Sequence, residues 1–201
     1  MSNTIEDAIE RDWQRIRATG TWWTGDERIA IAREWRAAQA GESPGPSLLP
    51  DVAVEAIQTI ATRANTIGSP WIESCHERGL DPLPMVELMA LVARMSAIDT
   101  YDIGVRDQLA PLPEPLDGEP PPGTAPQNAR INAGWLPTVG RAGAPVCMSA
   151  VPAEHEAWED LHSHLYLSIA EMRELDLTKD LHRAQMELLA ARTSHYNDCF
   201  Y

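Results

Sequence analysis

A chain of 201 residues, 44% of them hydrophobic, can bury a sizeable core in one domain or in two small halves. A net charge of −14 argues against nucleic acid, which needs a basic patch, and against anionic membrane surfaces. No stretch reaches the roughly 18–20 uninterrupted apolar residues of a membrane span, and the opening "MSNTIEDAIERDWQRIR" lacks the basic-then-apolar order of a signal peptide. Lys179 is the only lysine, so Schiff-base chemistry has one candidate. Cys75, Cys147 and Cys199 are odd in number and widely spaced, a poor disulfide framework, so a cytoplasmic, reducing setting is the default.

In chain order the pattern is almost wholly helical. Thr4 with Asp7 three residues on predicts a capped helix striped by Ile5, Ile9, Trp13 and Ile16, stopping near Gly20. Thr24 and Glu27 form a second capping-box signal for a helix through Ile31 and Trp35 to Gly41. After the Gly- and Pro-rich "GESPGPSLLP" loop, a third helix runs from Val52 to Ala64 with Ile57, Ile60, Ala61 and Ala64 at helical spacing. Ser69-Pro70 reads as an N-cap followed by proline at the first helical position, with the helix ending at Gly79. "PMVELMALVARMSAIDTY" is the most apolar helix and a central core element. "LAPLPEPLDGEPPPGTAP" cannot be a helix interior or a central strand and reads as an extended linker within 106–152. Helical pattern resumes at Ala153 through Trp158, Leu161, Leu165 and Ile169, and again from Thr178 to Ser194.

Two stretches are alike: "ELMALVARMSAIDTY" from Glu87 and "ELLAARTSHYNDCFY" from Glu187 align without a gap at an offset of 100 residues. Glu87/Glu187, Leu88/Leu188, Ala90/Ala190 and Tyr101/Tyr201 coincide, four positions of fifteen, and Asp99 stands opposite Cys199. The reading is an all-α fold of two similar helical halves: 1–105 without a redox cysteine, the 106–152 linker, and 153–201 as the start of the second half.

Glu187, eleven residues and then Cys199 in an N-x-C-x-Y setting resembles the carboxymuconolactone decarboxylase-like, alkylhydroperoxidase D-like superfamily. The superfamily's redox branch carries Glu-x11-Cys-x-x-Cys-x3-His, and Glu187 and Cys199 match its first two elements. "WTGDERIAIAREWRAAQA" and the Pro-rich middle also look like a two-half subgroup of this kind. The resemblance implies a thiol or selenol peroxidase or disulfide oxidoreductase acting on a peroxide, recycled by a dithiol or thioredoxin-like reductant and working as a homo-oligomer. It assigns Cys199 as resolving thiol and Glu187 as a buried carboxylate with a raised pKa that relays protons. His195, four residues before Cys199, is a possible auxiliary. A helix opening at about Asp198, capped by Asn197 or Asp198, would hold Cys199 in its first turn, where the dipole favours thiolate. No cofactor or metal is expected beyond selenocysteine at the next position.

Plainer readings stand beside these. Glu187 reads equally as a solvated residue or half of an ion pair, and His195 as a surface histidine. Cys75-His76 point apart on a helix, which favours a core cysteine. His155, His162 and His164 include no i,i+4 pair, so a zinc site would need carboxylates from elsewhere. Trp13, Trp22, Trp23, Trp35 and Trp71 are core and interface mass, and Cys147 has no assigned partner. The rival functions are a non-redox decarboxylase-like enzyme in which Cys199 is incidental, and a helical scaffold that lost its site.

The motif's second redox centre falls on the position after Tyr201, where members similar to selenoproteins carry selenocysteine, encoded by UGA. The chain is therefore expected to be cut at a UGA read as termination and, as written, to turn over little peroxide. The nucleotide sequence tests this. UGA should follow the Tyr201 codon, with an open frame, a histidine codon four positions on and a selenocysteine insertion element nearby; UAA, or a frame that closes at once, overturns it.

Overall fold

The computed structural model describes residues 4–198, apart from residues 44, 133, 141, 142, 144 and 145. The fold is all-α, with one small hairpin. Helix α1 spans Ile5–Arg17 and α2 Gly25–Gln39, and both open with the expected capping boxes, Thr4/Asp7 and Thr24/Glu27. Each box satisfies two backbone N–H groups that a helix start would otherwise leave unpaired. Helix α3, Asp51–Arg63, runs into a 3-10 turn, Ala64–Thr66. Helix α4 covers Ser69–Glu77. Its N-cap is Gly68, so Ser69 is the first helical residue and not the expected cap, and Pro70 follows in the first turn.

Helix α5, Pro82–Tyr101, is the centre of the molecule. It packs on α2, on α3 and on α6 (Pro152–Leu165), while α1 lies against α2 and α6. Leu88, Leu91, Met95 and Ile98 from α5 meet Ile9 and Ile16 of α1, Ile31 of α2, Ile57 of α3 and Leu161 of α6 in one core. Val86, Ala90, Met148 and Val151 form a second, smaller cluster on the other side of α5. Burial all round explains why its sequence lacks a polar face. Trp13, Trp23 and Trp35 are buried in this core, so they do not form an intermolecular surface.

The Pro-rich segment, read as an extended linker, does not hang free of the helices. Residues 109–126 have no helix or strand, yet they are packed down as a strap. The Leu116 N–H donates to the Arg17 carbonyl (2.8 Å), and Arg36 Nη1 donates to the Ala110 carbonyl (2.7 Å). Ala110 and Leu112 join the edge of the core. A β-carbon at Gly25 would lie 2.4 Å from the Leu116 carbonyl oxygen, so the close seating of strap on helix depends on glycine there. Prolines limit the freedom of the unfolded chain, which lowers the entropic cost of ordering a segment with few apolar side chains.

The strap leads to an antiparallel pair, β1 (Ala129–Ile131) and β2 (Pro137–Val139), with Arg130 opposite Thr138. Three-residue strands are too short for alternation to register in the sequence. Helix α6 ends at Leu165, short of Ile169, and α7 is Arg183–Tyr196, not the expected start at Thr178. A bridge between Thr178 and His182 takes the intervening residues into a tight turn, and the His182/Gln185 capping box fixes the later start. Because α6 packs on α1 and α5, the beginning of the expected second half shares the core of the first. Among the described residues, no helix is long and apolar enough to cross a membrane.

Gly25→Ala should destabilise the protein by about 1–3 kcal/mol through overpacking, although alanine is the better helix former. Urea unfolding would measure the loss, and limited proteolysis should cut faster between residues 109 and 126. A variant at least as stable as the parent, with an uncut strap, would show that the strap is not held as described.

Candidate functional site

Two charged centres are built by these helices, one buried and one open. The buried centre joins Asp12 of α1, Arg28 of α2, Glu87 and Arg94 of α5, and Glu154 of α6, all at least nine-tenths buried. Arg28 bridges Glu87 and Glu154, and Arg94 bridges Asp12 and Glu154. The second oxygen of Glu87 accepts the backbone N–H groups of Thr21 (3.0 Å) and Trp22 (2.9 Å). Arg28 also donates to the carbonyls of Arg15 (3.2 Å) and Ile16 (3.3 Å), supplying a cation at the C-terminal end of α1. Glycine at position 20 is required, since a β-carbon there would sit 1.8 Å from Glu87 Oε1.

Three carboxylates face two guanidiniums, so full ionisation would bury one uncompensated negative charge, which is costly. Both oxygens of Glu154 are taken by guanidiniums, and both oxygens of Glu87 by donors. Asp12 Oδ2 receives no donor among the described residues, so a proton sits there at least cost. Burial pushes the Asp12 and Glu87 carboxyls up against the opposition of Arg94 and Arg28. Burial acts on Glu154 in the same sense, but Arg94 and Arg28 together outweigh it and hold that group below its ordinary value.

The open centre surrounds Glu187 on α7. Its side chain is 49% exposed, which corrects the expectation of a buried carboxylate. Helix α7 has no buried residue among those described, and Leu188 (62%) and Leu189 (56%) face solvent beside it, so nothing packs over this turn. The Tyr166 hydroxyl donates to Glu187 Oε1 (2.8 Å), and Arg183 Nη2, one turn earlier on α7, reaches the same oxygen (2.7 Å). His195 is exposed, with its ring 6.0 Å from that of Tyr196, and makes no bond to Glu187. Asn197 is the C-cap of α7, its amide donating to the Thr193 carbonyl (2.9 Å), and Asp198 has φ of 49°. These residues therefore close α7 and do not cap a following helix, since an N-cap has extended backbone. Cys199 lies outside the described residues, as does its relation to Glu187.

Other sequence candidates fall into place. Cys75 is a buried free thiol in the core, as its helical setting predicts, and Cys147 is a free, exposed one. His162 stacks on Trp158 at 4.5 Å between ring centroids. Among the described residues, no group of His, Cys, Asp and Glu could hold a metal ion. The repeat positions have separate fates: Glu87 is paired to Arg28, and Asp99, opposite Cys199 in register, is gripped by Arg36 through Nε (3.2 Å) and Nη2 (2.7 Å). Sequence reasoning missed the buried network. Its signal was Glu87 and Arg94 standing in the most apolar helix.

Glu154→Gln should cost about 3–5 kcal/mol, because two buried guanidiniums lose their shared partner. Asp12→Asn, at the carboxyl where a proton sits at least cost, should cost far less. Denaturant midpoints compare them, and equal losses would contradict the proton's placement. At the surface, Arg11 and then Arg15 hold Asp160 down from 3.8 to about 2. A lowered carboxyl stabilises fully above its unfolded pKa, and the contribution disappears as pH falls through the folded one. The contact between α1 and α6 should therefore weaken between pH 3.8 and about 2, a slope that Asp160→Asn should flatten.

No family model matches the chain, and no curated protein and no solved structure matches it either.

Proposed function

We propose that this chain belongs to a thiol or selenol peroxidase, or disulfide oxidoreductase, of the alkylhydroperoxidase D-like type, with its chemistry at Glu187 and Cys199. The supporting observation is the contrast between the two register-matched pairs. Glu87 and Asp99 are consumed by Arg28 and Arg36 inside the fold, whereas Glu187 keeps an accessible carboxylate. A carboxylate that moves protons must reach them, and the first-half pair cannot without breaking one buried and one partly buried ion pair.

In the resembled motif a second redox centre stands three residues after Cys199. That centre's thiolate or selenolate attacks the distal oxygen of a hydroperoxide; the O–O bond breaks, alcohol leaves and a sulfenic or selenenic acid forms. The Cys199 thiolate then attacks it, a disulfide or selenenyl sulfide closes, and water leaves. A dithiol reductant supplies two electrons and two protons to reopen the bridge. In each half of the cycle Glu187 takes the proton from the attacking or resolving group and delivers it to the departing oxygen, so that alcohol and then water leave and the carboxylate is restored. The cytoplasmic setting, the peroxide substrate, a thioredoxin-like reductant and a homo-oligomer belong to the same proposal.

The scaffold reading has one observation in its favour, the complete locking of the first-half pair. Alkylation of Cys199, followed by mass spectrometry across pH, separates the two. A redox cysteine should react with a midpoint well below about 8.5, and a scaffold's at about 8.5. The 201 residues alone should turn over little hydroperoxide, since a single motif thiol cannot close the bridge. Adding cysteine after Tyr201, and histidine four positions later, should create Cys199-dependent turnover. An ordinary midpoint together with an inert extended chain would overturn the proposal.

A further inference from the structure

The side chains around Glu187 are themselves held in place. Tyr166 follows α6 directly and is fixed from several sides. Its N–H donates to the His162 carbonyl (2.8 Å), and its own carbonyl accepts from Lys179 Nζ (3.3 Å). The His162 ring meets the phenol edge-on at 5.5 Å, and Trp158 stacks behind His162. His162 Nδ1 lies 2.7 Å from the Leu167 carbonyl, which can only accept, so the proton is on Nδ1 and the ring orientation is set. Burial lowers the His162 pKa, which keeps this buttress uncharged at neutral pH. Arg183 is tied down in turn, with Nη1 donating to the Glu171 carbonyl (3.4 Å).

The Tyr166 hydroxyl donates to Oε1 of Glu187 and the Arg183 guanidinium ion-pairs with the same oxygen, and among the described residues no hydrogen bond reaches Oε2. We propose, building on the redox reading above, that Tyr166 and Arg183 are positioning residues that clamp Oε1 and present Oε2 as the oxygen through which Glu187 exchanges protons. The physical reason is that Oε1 remains an acceptor in both states of the carboxyl. When a proton arrives on Oε2, Oε1 becomes the carbonyl oxygen and still accepts the Tyr166 hydroxyl, while the Arg183 guanidinium stays beside it. The side chain therefore need not change rotamer during the transfer, and reorganisation is avoided.

Tyr166→Phe keeps the ring and its contact with His162 but removes the donor. The readout is the rate at which Cys199 attacks a small aromatic disulfide, followed across pH and assigned to Cys199 by its absence in Cys199→Ser. Tyr166→Phe should slow the reaction about tenfold, the worth of one hydrogen bond to a charged group, and should move its pH profile. Glu187→Gln should slow it at least as much, and the double variant should be no slower than Glu187→Gln alone, the signature of one shared path. If Glu187→Gln is slow while Tyr166→Phe matches the parent, or if the two effects add, the clamp is refuted and the redox reading stands. If neither change matters and Cys199 titrates at about 8.5, the redox reading itself has failed. Circular dichroism and melting temperature should match the parent for Tyr166→Phe, which keeps the ring against His162, and for Glu187→Gln, because α7 is exposed and has no buried side chain to lose.

Discussion

Two guanidiniums sealed among three carboxylates tie four helices together, and the rest of the architecture is arranged around that constraint. Arg28 and Arg94 cannot be left without partners inside an apolar core. Glu154, which answers both, arrives from α6, far along the chain and after the strap. The second half of the sequence is thus bound to the first by an electrostatic requirement as well as by apolar area. Ion pairs of this kind add little net stability compared with a hydrophobic replacement, but they penalise any packing that separates their members. Here that penalty fixes where α6 sits against α1 and α5.

The strap makes this arrangement possible. It carries the chain from the end of α5, over the junction of α1 and α2, to the hairpin that precedes α6. Its attachment points are few and specific: Asp102 beneath its start, accepting the Ala110 N–H (2.9 Å), Arg36 on the Ala110 carbonyl, and Arg17 on Leu116. Arg36 is shared between the strap and Asp99 of α5, so the element following the helix is ordered by the same cation that neutralises it.

Much of the fold was legible because its signals are local. Two capping boxes, apolar stripes at helical spacing and one long apolar helix depend on residues a few positions apart, and these elements appear where periodicity places them. What was not legible depends on distance. Nothing in "PLPEPLDGEPPPG" reveals that Gly25 will leave room for Leu116, nor does Glu154 reveal that it will meet residues some sixty and more positions earlier. The Thr178–His182 turn is a local exception, because a helical pattern continued through it on paper. At the candidate site the helical spacing places Glu187 on a helix, as found, but its surroundings differ from those the pattern implies. The apolar letters around it imply burial, and the structure leaves Leu188 and Leu189 in solvent.

The two halves of the apparent repeat show how one pattern can serve two ends. On α5 the apolar neighbours of Glu87 bury it, and a buried carboxylate must be neutralised, which Arg28 and the backbone of Thr21 and Trp22 accomplish. Once that has happened, the group has lost the freedom to exchange protons with anything that diffuses. On α7 the register-matched Glu187 has, among the described residues, one oxygen engaged, by a phenol and a guanidinium that arrive from nearby in the chain. Stability demands saturation of every donor and acceptor, whereas chemistry demands that one be left over. Among the described residues Glu87 meets the former condition, whereas Glu187 leaves one oxygen without a donor.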